Sequence, residues 1–510
     1  MLSCALLAPD SQGAVWTPSV FGDHMVLQRE QNNPVWGWAN PGERVIVRIG
    51  DQRHQTEAGP DGAWRVSLEP LQVGGPYELG IRGEENSLTY EDVLVGEVWV
   101  CSGQSNMEWP VDASNDPDIE KLTAKYSNIR LITVPKVGTQ KAQRDFVGQW
   151  QACSPETIGG FSAVGYYFGR QLHQTLDVPI GLIDNAWGGS AAEAWVRRDI
   201  LSDNPDYAPL MDRWAKQEIP GDAMDAMNAY EEALWNWNKA NEVAKIAGEP
   251  QPASPRRPGG ALAGNQRPGN LFNGNLHPVI GYGIRGAIWY QGESNASRAY
   301  QYRDLFPTMI ASWRDLWGQG DFSFYWVQLA DFRDEKPDPG ESDWAELREA
   351  QTMTMRRLPN TGEAVIIDLG EAHDIHPKDK QGVAQRLARW ALAQDYGFEL
   401  AHHSPTYASM EVDGAKAVLK FEHVGGGLDT FDVRQPVGFA IAGEDRKFHW
   451  AEGKIVDGNT MEIWAEGVEA PVAVRYAWAD NPVCNMQSRE GLPMTPFRTD
   501  DWPGVTLENR

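Results

Sequence analysis

The sequence predicts an α/β fold built on a parallel sheet, with a smaller β-rich region at each end. Three observations carry this. Between residues 96 and 398, short apolar runs alternate with amphipathic helical stretches, the pattern of parallel strands joined by crossover helices. On either side the period shortens to two, as in Val45-Ile46-Val47-Arg48-Ile49 and Ala417-Val418-Leu419-Lys420-Phe421. A chain of 510 residues is also too long for one ordinary core, so two to four domains are expected.

Along the chain, residues 1–14 hold a short apolar run without a basic region before it, and read as the remnant of a signal peptide. That reading leans toward a periplasmic or secreted protein. Residues 15–95 read as an N-terminal β domain, whose alternating runs are separated by Pro41-Gly42, Gly59-Pro60-Asp61-Gly62 and Gly74-Gly75-Pro76. Residues 96–398 form the α/β domain, with helices expected at 162–176, 301–317 and 380–395. Within it, 205–275 reads as an insertion or lid: a helical first part, then a stretch too rich in Pro and Gly to pack regularly. Residues 399–510 return to alternation and read as a C-terminal β-sandwich-like domain.

The net charge of −26 argues against nucleic acid, whose phosphates need basic partners. No apolar run is long enough to span a bilayer. The 22 tryptophans fit either aromatic anchors in β-rich cores or flat platforms for sugars, and composition does not separate the two. Cys4, Cys101, Cys153 and Cys484 show no metal-ligand spacing, and nothing selects among their three pairings; Cys101, inside an apolar strand, reads as a buried thiol. Oligomeric state is not written in the sequence.

Four apolar strands in the α/β region stop abruptly in polar or glycine-rich turns. The run 98–101 ends in Gly103-Gln104-Ser105-Asn106, and 180–184 leads into Asn185-Ala186-Trp187-Gly188-Gly189-Ser190. The run 284–290 leads into Gln291-Gly292-Glu293-Ser294-Asn295, and 364–369 into Gly370-Glu371-Ala372-His373-Asp374-Ile375-His376-Pro377. In an open parallel sheet the carboxyl ends of the strands share one edge, where ligands bind, so these turns are expected to meet. Pooled, they supply a hydroxyl, backbone amides, a primary amide, a carboxylate and an imidazole, the parts for acyl transfer through a serine.

GQSNMEWP, WGGS, WYQGESNA and DIHP, in this order, resemble the sialate O-acetylesterase family of SGNH hydrolases. VFGDHMVLQRE near the start and VRYAWADNP and GLPMTPFRTD near the end extend the likeness over nearly the whole chain. The resemblance implies a three-layer α/β/α hydrolase domain with flanking β domains. It also implies metal-independent hydrolysis of acetyl esters on sugars, with no cofactor and an acetylated carbohydrate as the partner. Carried over position by position, Ser105 matches the nucleophile, His376 the base with Asp374, and Gly189 the oxyanion glycine.

The oxyanion hole is expected from the amides of Ser105 and Gly189 and the side chain of Gln291, with Gly188 and Asn295 as substitutes. Gln104, Asn106, Glu293 and Trp187 are expected to line the substrate site, although a supporting role also suits Glu293. Two features depart from the wider superfamily. Asp374 stands two residues before His376, not three, which leaves Glu371 and Asp368 open as orienting groups. The third turn reads Gln-Gly-Glu-Ser-Asn in place of Gly-x-Asn-Asp. His373 is the competing base, and His277 is read as structural. Within the esterase reading, sialic acid comes first and acetylated xylan or another polysaccharide second. A non-catalytic glycan-binding protein and, more weakly, a glycosidase are the readings from other classes.

Overall fold

The computed structural model describes residues 15–218, 222–247, 250–255 and 260–509. The expected leader remnant with Cys4, and parts of the expected 205–275 insertion, lie outside these residues.

Six strands form the central sheet: β1 (Ser87–Gly103), β2 (Ile129–Thr133), β3 (Ile180–Asp184), β4 (Gly286–Tyr290), β5 (Ser323–Val327) and β6 (Thr361–Ala364). Their order is β6-β5-β4-β1-β3-β2, and every neighbouring pair is parallel. The chain leaves β1 toward β2, returns to fill β3, and then crosses to β4 on the other side of β1. The carboxyl end of β1 is therefore where the strand order reverses, the position at which open α/β sheets bind ligands.

The helices used below are α1 (Ser105–Glu108), α2 (Ala163–Leu176), α3 (Ala299–Trp317), α4 (Asp343–Thr354) and α5 (Lys380–Gln394). The second half of β1 and strands β3, β4 and β5 are buried on both faces. Val98 and Val100 of β1, Trp289 of β4 and Trp326 of β5 share a core with Phe306 of α3 and Leu347 of α4. Trp99, Cys101, Ile288 and Tyr325, the alternate residues, share another with Phe168 of α2 and Leu387 of α5. The result is three layers. Caps fix two of the helices: Ser162 Oγ accepts the Gly165 amide at 3.1 Å, and Asp379 Oδ1 the Gly382 amide at 2.8 Å.

The N-terminal β region is joined to this sheet by a shared strand. The first half of β1 pairs with Gly74–Arg82 and Val26–Gln28, and the second half enters the parallel sheet. At the junction the buried Glu97 accepts from Arg29, from Gln28 Nε2 at 2.9 Å and from Arg285 Nε at 2.8 Å. The C-terminal region holds two four-stranded antiparallel sheets, one through Lys416–Glu422 and one through Ala473–Tyr476, around a core of their own.

One strand is shorter than expected. The pairing of the 364–369 run ends at Ala364, because Val365 and Ile367 turn into the C-terminal core while Ile366 stays in the α/β core. Trp99, Trp195, Trp289, Trp313 and Trp326 are fully buried, so these five are anchors and not sugar platforms. Cys101 and Cys153 are buried free thiols, and Cys484 is a half-buried one.

Candidate active site

At the end of β1 the chain passes under Tyr290. Gly103 adopts a φ of +134°, and a Cβ there would lie 2.2 Å from the Tyr290 carbonyl oxygen, so only glycine fits. The Gln104 amide then donates to that carbonyl at 2.9 Å, and α1 starts at Ser105. This single helical turn presents Ser105, Asn106 and Glu108 to three different neighbouring turns.

His376 Nε2 lies 2.8 Å from Ser105 Oγ, across 271 residues of sequence. The imidazole stacks on the indole of Trp109, with centroids 4.5 Å apart and planes 14° apart. Partial burial and the nearby Lys380 ammonium hold its pKa below the usual 6.5, against the opposing pull of Asp374.

Asp374 Oδ1 accepts the backbone amide of His376 at 2.9 Å and stands 3.6 Å from His376 Nδ1. The two-residue spacing thus turns the carboxylate onto the backbone first and the ring second. The other acids are engaged elsewhere: Asp368 grips Arg386 at 2.5 and 2.7 Å, and Glu371 Oε1 accepts the Lys378 amide at 2.9 Å. His373 is exposed, 3.8 Å from Asp334, and does not reach the serine. His277 Nδ1 donates to the Gln143 carbonyl at 2.6 Å, in a mostly buried setting that lowers its pKa.

The second turn reaches Ser105 from β3. A Cβ on Gly188 would lie 3.3 Å from that of Ser105, which sets how closely this turn approaches. The Gly188 amide donates to Glu108 Oε2 at 2.5 Å, so it is not available to a substrate, and Glu108 in turn pairs with Lys136. Gly189 has a φ of +72°. Its amide and that of Ser105 find no acceptor among the described residues.

Several side chains expected at the oxyanion or the substrate are already engaged within the protein. Gln291 is fully buried, and both its amide hydrogens are spent, on Ser190 O at 3.1 Å and Asn295 Oδ1 at 2.7 Å; its Oε1 accepts from Tyr302. Asn295 is equally engaged, giving Nδ2 to Glu193 at 2.8 Å and accepting the Ala192 amide at 2.9 Å. Gln291 thus has no amide hydrogen left for an oxyanion, and the two side chains together brace the second turn against the third. Asn106 is buried and donates to Glu293 Oε1 at 2.6 Å and to the Ile375 carbonyl at 3.0 Å. Asn106 and Glu293 thus face each other, not a substrate. Burial raises the pKa of Glu293, whose Oε2 has no hydrogen-bond partner among the described residues.

Gln104 is buried, and its Oε1 lies 3.4 and 3.3 Å from the amides of Gly292 and Ser294, tying the first turn to the third. Trp187 is half-buried against the core, with its amide on Gly103 O at 3.0 Å. Among the described residues, no three His, Cys, Asp or Glu side chains converge to hold a metal ion.

Sequence reasoning missed Glu108, Trp109 and Lys380. The first two stand inside the GQSNMEWP block, where proximity to Ser105 was the available signal. Lys380, four residues beyond His376, gave none.

The chain is similar to known proteins over most of its length. The family model for "Carbohydrate esterase, sialic acid-specific acetylesterase" matches residues 95–230 and 274–393. Sialate O-acetylesterase of Mus musculus is 30% identical, over 94% of this chain and 93% of that protein. The Rattus norvegicus protein of the same name is 31% identical, with the same coverages. The crystal structure of a carbohydrate acetylesterase from Xanthomonas citri is similar with a TM-score of 0.81 and 37% identity, covering 96% of this chain and 100% of that one.

Proposed function

We propose a serine mechanism for this chain, which belongs to the family of sialic acid-specific acetylesterases among the carbohydrate esterases. As a member it is a carboxylic ester hydrolase that removes O-acetyl groups from carbohydrates. Ser105 Oγ attacks the acetyl carbonyl carbon while His376 Nε2 takes the hydroxyl proton. The Ser105 and Gly189 amides receive the developing oxyanion. The imidazolium passes its proton to the sugar oxygen as the C–O bond breaks, leaving an acetyl group on Ser105. Water, deprotonated by the same imidazole, attacks that ester, and acetate leaves as Ser105 recovers its proton.

The observation that carries this reading is the 2.8 Å contact between Ser105 Oγ and His376 Nε2. Trp109 fixes the plane of the ring, and Asp374 holds its backbone and faces Nδ1. The depressed pKa suits the base role, because at neutral pH the imidazole is free of its proton. Acetate release from an aryl acetate tests the assignment: Ser105→Ala is expected to lose essentially all turnover, and parental turnover in that variant would refute it.

For the sugar, O-acetylated sialic acid is the first choice, supported by the mammalian relatives named above. The Xanthomonas citri structure is named only as that of a carbohydrate acetylesterase, and the second reading is an acetylated polysaccharide such as xylan. A panel of both acetylated sugars decides, with kcat/KM as the readout. The apolar run at residues 1–14 supports placing the enzyme's work in the periplasm or beyond the cell. Fractionation of the native host that finds it only in the cytosol would contradict this.

A further inference from the structure

We infer that Lys380 is a positioning residue for the Ser105–His376 pair, acting through the side-chain amide of Asn106. Lys380 opens α5, where a lysine normally reaches solvent, yet its side chain is completely buried. Its Nζ donates to Asn106 Oδ1 at 2.6 Å and lies 5.8 Å from the ring centroid of Trp109 and 5.3 Å from that of Tyr290. Asn106 Nδ2 in turn donates to Glu293 Oε1 at 2.6 Å and to the Ile375 carbonyl at 3.0 Å.

One amide therefore joins the residue after the nucleophile to the residue before the base. The chemistry of its partners fixes which way it points. An ammonium can only donate, and a carbonyl can only accept, so Oδ1 must face Lys380 and Nδ2 must face Ile375. Burying an ammonium costs several kcal/mol before compensation, and an apolar side chain would fill the space at lower cost. Packing alone does not account for a lysine here; holding Asn106 in one orientation does. A reacting pair displaced by about 1 Å can lose on the order of a hundredfold in rate, which is the scale at which such a clamp matters.

The charged groups around this clamp are few. His376 is faced by Asp374 and Lys380, and Lys380 by Glu293, Asp374, Glu371 and Asp379. Burial pushes Lys380 down to about 7, against the pull of the surrounding carboxylates. Its charge opposes protonation of the imidazole.

The test compares Lys380→Met and Lys380→Gln with the parent on an aryl acetate across pH, with thermal unfolding followed in parallel. Lys380→Met is expected to lower kcat about tenfold to a hundredfold, with KM within about twofold. The acid limb of kcat/KM should move to higher pH as the neighbouring positive charge is lost. Lys380→Gln keeps a donor for Asn106 Oδ1 without the charge, so it should regain much of kcat but not the parental acid limb. Asn106→Asp, of equal size, keeps Lys380 paired but faces oxygen toward Ile375 O, and should lose kcat as Lys380→Met does. Unaltered kcat and acid limb in Lys380→Met or Lys380→Gln, whatever the melting temperature, would overturn the inference. The inference rests on the serine mechanism above. Parental turnover in Ser105→Ala removes that mechanism, whereas an inactive Ser105→Ala beside unaltered Lys380 variants removes only the role of Lys380.

Discussion

Ser105 and His376 come from opposite ends of the catalytic sheet's sequence, and what holds them together is a ring stack and backbone contacts more than a strong carboxylate bond. Asp374 stands 3.6 Å from the imidazole, while Trp109 lies parallel to it at 4.5 Å. An aromatic stack of this kind is worth about 0.5–1.5 kcal/mol, so Trp109→Ala is expected to lower kcat by up to about tenfold with little change in melting temperature. Steady-state kinetics on an aryl acetate checks this. The pH profile follows from the same pair. Because the base works unprotonated and its pKa is held below 6.5, kcat/KM should fall only as pH drops through a midpoint under 6.5. A midpoint at or above 6.5 would mean that burial and Lys380 do not control the ring.

At this scale the sequence disclosed what residue type alone encodes. A serine after a strand-ending glycine, and a histidine in a distant turn, declare their chemistry wherever they sit. Gln291 did not, because its role depends on direction: one position beyond β4 its amide points into the sheet edge, where Ser190 and Asn295 consume both hydrogens. Glu108 and Trp109 were hidden for the complementary reason. Their use depends on the rotation that one helical turn imparts after Ser105, which no local pattern reveals.

At the scale of elements, α1 connects all four turns. Ser105 meets the His376 turn, Asn106 joins that turn to the third, and Glu108 takes the Gly188 amide of the second. Gln291 is the brace between the second and third turns, so its replacement should weaken the fold more than the chemistry. Gln291→Ala leaves buried partners unsatisfied, at about 1–3 kcal/mol, and should lower the melting temperature clearly. Its kcat per folded molecule should fall by less than about tenfold, against a hundredfold or more for a lost oxyanion donor. The helices at 162–176, 301–317 and 380–395 were legible from periodicity to within a few residues, since each buries one stripe on the sheet. The strand at 361–364 was not, because its continuation leaves the sheet to pack on a core that forms only in three dimensions.

At the scale of the molecule, a single 17-residue strand, β1, carries the N-terminal β region at one end and leads into Ser105 at the other. The buried Glu97 marks the crossing, held by Arg29, Gln28 and Arg285. Removing the carboxylate takes from Arg29 and Arg285 their shared buried partner, leaving Glu30 at the surface, so Glu97→Ala is expected to cost roughly 3 kcal/mol, read by chemical denaturation. A loss under about 1 kcal/mol would mean that the junction is not under this control. The alternating runs on both flanks foretold β structure, but not that β1 belongs to two sheets at once, because a strand's neighbours are chosen by tertiary contact.

The claim that joins these scales is that the end of β1 presents Ser105 as the nucleophile. Treatment with a serine-directed sulfonyl fluoride, followed by site-resolved mass spectrometry, tests it most directly. The account predicts one label per chain, on Ser105, rising in step with the loss of esterase activity. Complete inactivation with the label on another residue, or full labelling of Ser105 with activity intact, would contradict it.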